Sequence, residues 1–151
     1  MTTQLLNSPA EILCRALVDT GAVTEAGAGG SWPCHYAEEP DGPGTPDDVV
    51  TLYDTQGRID GYDQHFGGVF EHHGFQVKVR SNTIRKGWRK ADQLLQTLAR
   101  DIYLKQVNIE SSSYLIHSIG DVGPILSLGK EPNTARRVWT INGTITIRLL
   151  T

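Results

Sequence analysis

The side chains best suited to chemistry are histidines and carboxylates of one short stretch: His65, His72, His73, Asp60, Asp63 and Glu71. Imidazoles and carboxylates together can hold a divalent metal ion. Zinc sites in proteins space paired ligands on one turn or helix, and this stretch lacks such a spacing. His72 and His73 would also point to opposite faces of a strand. The stretch is therefore interpreted as a solvated polar segment without metal or cofactor, and a small metal-dependent hydrolase is the rival hypothesis.

Two further patterns match catalytic motifs only in part. The glycine run at 27–31 lacks the lysine and the Ser/Thr of a phosphate-binding loop, and a Trp-Pro pair follows it where a helix is required. Ser113, His117 and Asp121 lie too close together along one strand and turn to converge as a hydrolase triad. We therefore expect no enzymatic activity.

The elements that position these residues include two helices. Ser8 and Glu11 form a capping box around Pro9 that starts an amphipathic helix, which Gly21 ends. A second helix is predicted from apolar side chains at three- and four-residue spacing: Ile84, Trp88, Ala91, Leu94, Leu95 and Leu98. Gly87 weakens a helix interior, so another backbone segment is expected to approach closely there.

Strands are predicted at 32–36, 49–53 and 75–80, the last from its clean alternation of apolar and polar residues. Residues 106–110 and 114–119 predict a hairpin. A long final strand has one apolar face, with Gly143 interpreted as a bulge or kink; that face is Trp139, Ile141, Ile145, Ile147 and Leu149.

Residues 54–74 hold five glycines and three histidines and show little periodicity. A segment this long without its own structure is usually functional or disordered, so we interpret 54–74 as an exposed arm, either a loop or an extended hairpin. The side chains expected to contact a binding partner are His65, Phe66, Phe70, His72 and His73.

The length of 151 residues fits one domain spanning 1–151. The predicted fold class is α+β: a single antiparallel-rich mixed β-sheet with two α-helices packed on one face and the arm outside it. No apolar run reaches the roughly 18 residues that cross a bilayer, so no membrane partner is expected. The first residues lack a secretory signal, and Cys14 and Cys34 are therefore expected to be thiols.

Charge is sorted along the sequence. Residues 1–73 carry twelve acids and two bases, and residues 74–151 carry five acids and twelve bases, which gives −10 and +7 and the formal total of −3. Acidic and basic surfaces on one chain can join copies head to tail, and such heterologous contacts close into rings or continue as filaments. The residues expected at this interface are the helix cations Arg85, Lys86, Arg89 and Lys90, opposite Asp47, Asp48, Asp60 and Asp63.

Two alternatives remain for the four cations, a solvated helix face and a contact with nucleic acid. The pI of about 5.9 argues against a dedicated nucleic-acid binder.

Turn and strand motifs recur over nearly the whole chain: the glycine run closed by Trp32-Pro33, the Pro46-Asp47-Asp48 turn, the corner at 53–57, the strand 75–80 before the Ala91 helix, Tyr114-Leu115-Ile116, Ser127-Leu128-Gly129, and the strand from Arg137 to Arg148. In this order they resemble the tail terminator, or tail-completion, proteins of long-tailed bacteriophages, often called minor capsid proteins. The segment 61–73 is longer and richer in histidine than the corresponding segment of that family.

The resemblance implies a structural virion protein without catalytic residues. Copies of such proteins, typically six, form a ring on the tail tube that stops its polymerisation and meets the head-tail connector. The expected partners are therefore the chain itself, the tail tube protein and a connector or stopper protein, with DNA only passing through the lumen. The expected location is the tail or neck of the virion, after assembly in the host cytoplasm. Another neck protein, such as a head-side stopper, is the alternative within this class.

Overall fold

A computed structural model describes residues 5–42, 44–62 and 69–150, and for 58–62 and 69 it describes the backbone alone. Two helices are present among these residues, α1 (Pro9–Asp19) and α2 (Ile84–Arg100). The strands are β1 (Thr24–Glu25), β2 (Pro33–Tyr36), β3 (Val49–Asp54), β4 (Arg58–Tyr62), β5 (Val69–Ser81), β6 (Lys105–Ile109), β7 (Ser112–Gly120), β8 (Leu126–Lys130) and β9 (Arg137–Leu149).

All nine strands belong to one sheet with the order β1-β2-β3-β5-β9-β7-β6, in which β4 also pairs with β5 and β8 with β9. The β1–β2 and β2–β3 pairs are parallel, and every other pair is antiparallel. Both helices pack into one core on the same face of the sheet. The α+β prediction of an antiparallel-rich mixed sheet with two helices is therefore confirmed.

Helix α1 begins and ends where its sequence predicts. The Ser8 hydroxyl accepts a hydrogen bond from the Glu11 amide, which would otherwise lack a partner at the helix start. Gly21 follows the helix with φ +80°, a conformation that costs a residue with a β-carbon about 1 to 2 kcal/mol. Ile12, Leu13 and Leu17 are fully buried on the side that faces the sheet.

Helix α2 buries most of the stripe that its apolar spacing indicates, since Ala91, Leu94 and Leu98 are buried. Ile84 is 57% exposed and Trp88 is 50% exposed, so the expectation that these two join the core is wrong. Gly87 faces the sheet in their place, and the ring of Trp139 in β9 lies directly against it. A side chain, not a backbone segment, makes the close approach that the glycine predicts.

The central pair of the sheet is β5 and β9, each of 13 residues. Their register runs without interruption from Glu71 opposite Ile147 to Ser81 opposite Arg137. The interpretation of 69–74 as part of an exposed arm is therefore wrong, because these residues form the first half of β5 and Glu71 is fully buried. The preceding strand β4 pairs with β5, which confirms the extended-hairpin alternative for the described part of 54–74.

Gly143 is not a bulge. Its register with β5 is regular, and the ring of Phe75 lies so close that an added β-carbon would fall 2.7 Å from Cζ. The β7–β9 pair instead shifts register between Ile116 and Ser118, which places a bulge at His117 in β7.

The sheet curls around α1. This helix contacts β2 and β3 near one edge of the sheet and β6 at the other edge. A hydrogen bond from the Tyr114 hydroxyl in β7 to the side-chain oxygen of Asn7 also joins the start of α1 to the second edge. The two edges therefore face one another across α1 and leave an open groove between them. None of the described helices is both long and apolar enough to span a membrane.

Candidate functional site

The acids and cations predicted to meet across an interface partly neutralise each other within one chain. Lys86 Nζ lies 2.9 Å from Asp48 Oδ2, and Arg136 Nε donates to Asp47 Oδ1 at 2.8 Å. Part of the charge that is sorted by sequence is therefore paired within one subunit. The loop before β3 carries five of the twelve acids of the first half and folds back over cations of the second half.

The same loop covers two cations on β5. Arg80 is 1% exposed and donates to the carbonyl oxygens of Pro40 and Pro46 at 2.8 and 2.7 Å. Lys78 Nζ donates to Glu39 Oε2 at 2.5 Å. Burial lowers the pKa of Lys78, but the hydrogen bond and charge of Glu39 outweigh it, so the pKa lies above its ordinary value. These contacts hold the loop against the sheet face opposite the helices.

Lys90 also contacts its own chain. Its ammonium donates to the Ala22 carbonyl oxygen at 2.8 Å and lies 5.4 Å from the ring centroid of Trp32. Burial lowers the pKa of Lys90. Of the four cations predicted for the interface, only Arg85 and Arg89 are exposed and make no ion pair within the described part of the chain.

Ile84, Arg85, Trp88 and Arg89 share one exposed side of α2, which we call the α2 face. Residues four apart lie one above the other on a helix, so Ile84 stacks below Trp88 and Arg85 below Arg89. Half-exposed apolar side chains between free guanidinium groups are typical of contact surfaces, in which tryptophan and arginine are enriched.

The groove beside α1, which we call the acidic groove, has a volume of about 570 Å³. One wall is α1, the second is the β1–β2 side and the third is the turn between β6 and β7. Its lining residues are Glu11, Cys14, Arg15, Val18, Asp19, Glu25, Ala26, Cys34, Tyr36, Asn108, Ile109 and Glu110.

Carboxylates dominate the charge of the acidic groove. The Arg15 guanidinium lies 2.9 Å from the Asp19 carboxylate and 3.9 Å from the Glu25 carboxylate, so one cation pairs with two acids. Glu11 and Glu110 line the groove without a cation close to them among the described residues, which leaves four acids against one base. The charge of Glu11 raises the pKa of the Tyr36 hydroxyl, with smaller contributions that include Glu110. The groove therefore favours a cationic occupant.

Cys14 and Cys34 form the floor of the acidic groove as buried thiols. A hydrogen bond with Cys14 and burial raise the pKa of Cys34 far above its ordinary value of 9.0. A protonated, buried thiol is a poor nucleophile, so the floor acts as apolar packing surface.

The histidines of the predicted metal segment do not converge. His72 Nδ1 lies 2.8 Å from Thr146 Oγ1, whereas His73 Nε2 lies 3.0 Å from Glu71 Oε1 on the other face of β5. Across the described ranges, no three histidine, cysteine or acidic side chains are arranged to hold a metal ion. Asp63, His65 and Phe66 lie outside the described residues, and of Asp60 only the backbone position in β4 is described.

Phe70 belongs to a small aromatic cluster on the sheet face opposite the helices. The guanidinium carbon of Arg148 lies 5.4 Å from the Phe70 ring centroid, and the His117 ring meets Phe70 edge-on at 5.7 Å. Tyr103 packs against the other side of His117, with 6.4 Å between ring centroids. The bulge in β7 brings His117 into this cluster.

No family model matches the sequence, and no curated protein matches it. Two solved structures are similar to the chain in fold. A chain of a structure described as the virion of a native gene transfer agent particle has 15% identity and a TM-score of 0.42, and the match covers 76% of this chain and 77% of that one. A second solved chain has 16% identity and a TM-score of 0.44, with 96% of this chain and 98% of that one covered.

The sequence alone does not reveal the acidic groove. Its walls come from three separate segments, and only the curl of the sheet brings Glu11 near Glu110. One available signal is the free cysteine pair, since Cys14 lies on the apolar stripe of α1 and Cys34 in a predicted strand. No sequence signal identifies Ile84 and Trp88 as exposed, because their spacing is that of a buried apolar stripe.

Proposed function

We propose that the chain is a structural virion protein whose copies form a closed homo-oligomeric ring, of six copies by the family pattern, on the end of a phage tail tube. The observation that carries this proposal is the presence of two unlike surfaces on one subunit, the cationic α2 face and the acidic groove. They share no residue, and a contact between two different surfaces is heterologous, so it closes into a ring when the rotation between copies allows it. The order of sequence motifs that resembles tail terminators supports the ring over a filament.

In this role the ring ends polymerisation of the tube and offers a surface to the head-tail connector, without catalysis. The hairpin of β4 and β5 and the neighbouring Phe70 cluster are the proposed contact with the tube or the connector. Aromatic and arginine side chains next to an extended hairpin suit such a contact. DNA only passes through the lumen of the ring, and the protein assembles in the host cytoplasm.

Native mass measurement of the purified protein, alone and with tail tube protein, tests this proposal. We expect a single closed oligomer, formed either alone or on the tube. A protein that stays monomeric at every concentration and in the presence of tube protein would refute it. Association with the connector but not with the tube would instead identify a head-side stopper.

A further inference from the structure

We propose that the α2 face of one copy docks into the acidic groove of the next copy and so forms the repeating contact of the ring. This inference rests on the proposed function, since it specifies the partner surfaces of the same assembly. It keeps Arg85 and Arg89 of the interface predicted from sequence and places other acids opposite them, because Asp47 and Asp48 already have partners in their own chain. The occupant of the groove is a second copy of this chain.

Charge complementarity is the first reason. The groove has four carboxylates and one guanidinium, and the α2 face presents Arg85 and Arg89 without ion-pair partners in the described part of the chain. Guanidinium groups bind carboxylates through two parallel hydrogen bonds, which fix orientation as well as charge. Opposite potentials also steer the two surfaces together during encounter.

Apolar fit is the second reason. Trp88 is half exposed beside Ile84, and the groove offers Cys14, Val18 and Ile109 as apolar lining under a charged rim. Interfaces commonly have this arrangement, with a buried apolar centre and a polar rim. The volume of about 570 Å³ lies within the range of about 300 to 1,000 Å³ that is typical of ligand pockets. We place the Trp88 indole in the groove, with the two arginines on its rim.

The competing occupants are less suited to the site. A nucleic acid would bring phosphates against an excess of carboxylates. An anionic small molecule meets the same repulsion. The α2 face of the same copy cannot fill the groove, because Gly87 and Ala91 fix that helix against β9 and β5 on another part of the subunit.

Sedimentation velocity over a concentration series tests the docking with three variants of the full chain. Trp88→Ala should weaken association about 30-fold, the size of one interface hot spot. Arg89→Glu and Glu110→Arg should each weaken it about tenfold or more, because each places like charges in contact. The double variant Arg89→Glu/Glu110→Arg should associate more tightly than either parent.

Lys130→Glu is the matched control, because it reverses an exposed cation on β8, outside both surfaces, and should associate like the wild type. Circular dichroism melting of each variant checks that the fold is kept. A ring that forms normally with Arg89→Glu or with Glu110→Arg would overturn this docking and leave the proposed function standing. A wild-type chain that never associates, even with tube protein, would refute both.

Discussion

Replacing Gly87 by alanine separates two opposite expectations. Helix propensity alone predicts that alanine stabilises an interior helix position by about 1 kcal/mol relative to glycine. In the structure, a β-carbon at Gly87 would lie 2.0 Å from Cζ3, 2.4 Å from Cη2 and 2.7 Å from Cε3 of Trp139. Carbon atoms in contact are about 3.5 to 4.0 Å apart, so the ring or the helix must shift by about 1.5 Å.

Trp139 is only 3% exposed, so its ring has no solvent to move into. Overpacking of this kind costs about 1 to 3 kcal/mol, occasionally more, and exceeds the propensity gain at a rigid ring. We expect Gly87→Ala to lower the free energy of unfolding by about 1 to 2 kcal/mol. For a chain of this size that lowers Tm by about 2 to 8 °C.

A double-mutant cycle with Trp139→Leu identifies the cause. In the Trp139→Leu background the clash is gone, so Gly87→Ala should be neutral or stabilising by up to about 1 kcal/mol. Gly120→Ala is the control, because nothing lies within 4 Å of its added β-carbon, and it should change stability by about 0.5 kcal/mol or less. Urea titrations give all of these values. A Gly87→Ala variant more stable than the wild type would refute the packing described for α2.

Four further outcomes follow from the fold. Gly143→Ala should cost about 1 to 3 kcal/mol, because its β-carbon would lie 2.7 Å from Cζ of Phe75, and urea titration in a Phe75→Leu background should show the loss relieved. Arg80→Met should cost about 3 kcal/mol in the same assay, since a buried cation that donates to two carbonyl oxygens is removed from an ionic cluster. The pKa of the Cys34 thiol is raised in the folded state, so above pH 9.0 the unfolded thiol loses a proton that the folded thiol keeps. The free energy of unfolding should therefore fall by up to about 1.4 kcal/mol per pH unit. Cys34→Ala should flatten that decline between pH 8 and pH 10, and an unchanged slope would contradict the raised pKa. Raising salt from about 0.1 to 1 M shortens the screening length from about 10 to 3 Å and should weaken the ring without abolishing it, and identical light scattering at both salt concentrations would argue against steering by charge.

The sequence predicts those elements whose signals are local. Ser8 and Gly21 mark the ends of α1 through capping and backbone conformation, and the alternation at 75–80 reflects a strand with one buried face. The hairpin of β6 and β7 follows from two strand patterns around a serine turn. The number of helices and their common face also follow from these patterns.

Features set by distant contacts are not predictable in this way. Residues 91, 94 and 98 of α2 are buried as their spacing predicts, but the burial of Gly87 in place of Ile84 and Trp88 depends on the distant Trp139 ring. Strand β8 has no sequence signal, because nearly all of its residues are exposed and it lacks alternation. The charge-based interface stays a prediction, and net charge by segment does not tell which carboxylates pair within the chain, as Asp47 does with Arg136.

The place of β9 in the sheet has a consequence for the order of events in the cell. It lies between β5 on one side and β7 and β8 on the other, although it follows all of them along the chain. A nascent polypeptide therefore lacks this central strand until translation has passed Leu149. The two sheet edges cannot come together around α1, and the acidic groove cannot form, before that point. If copies dock as proposed, we expect the acidic groove to accept a neighbour only after β9 has joined the sheet.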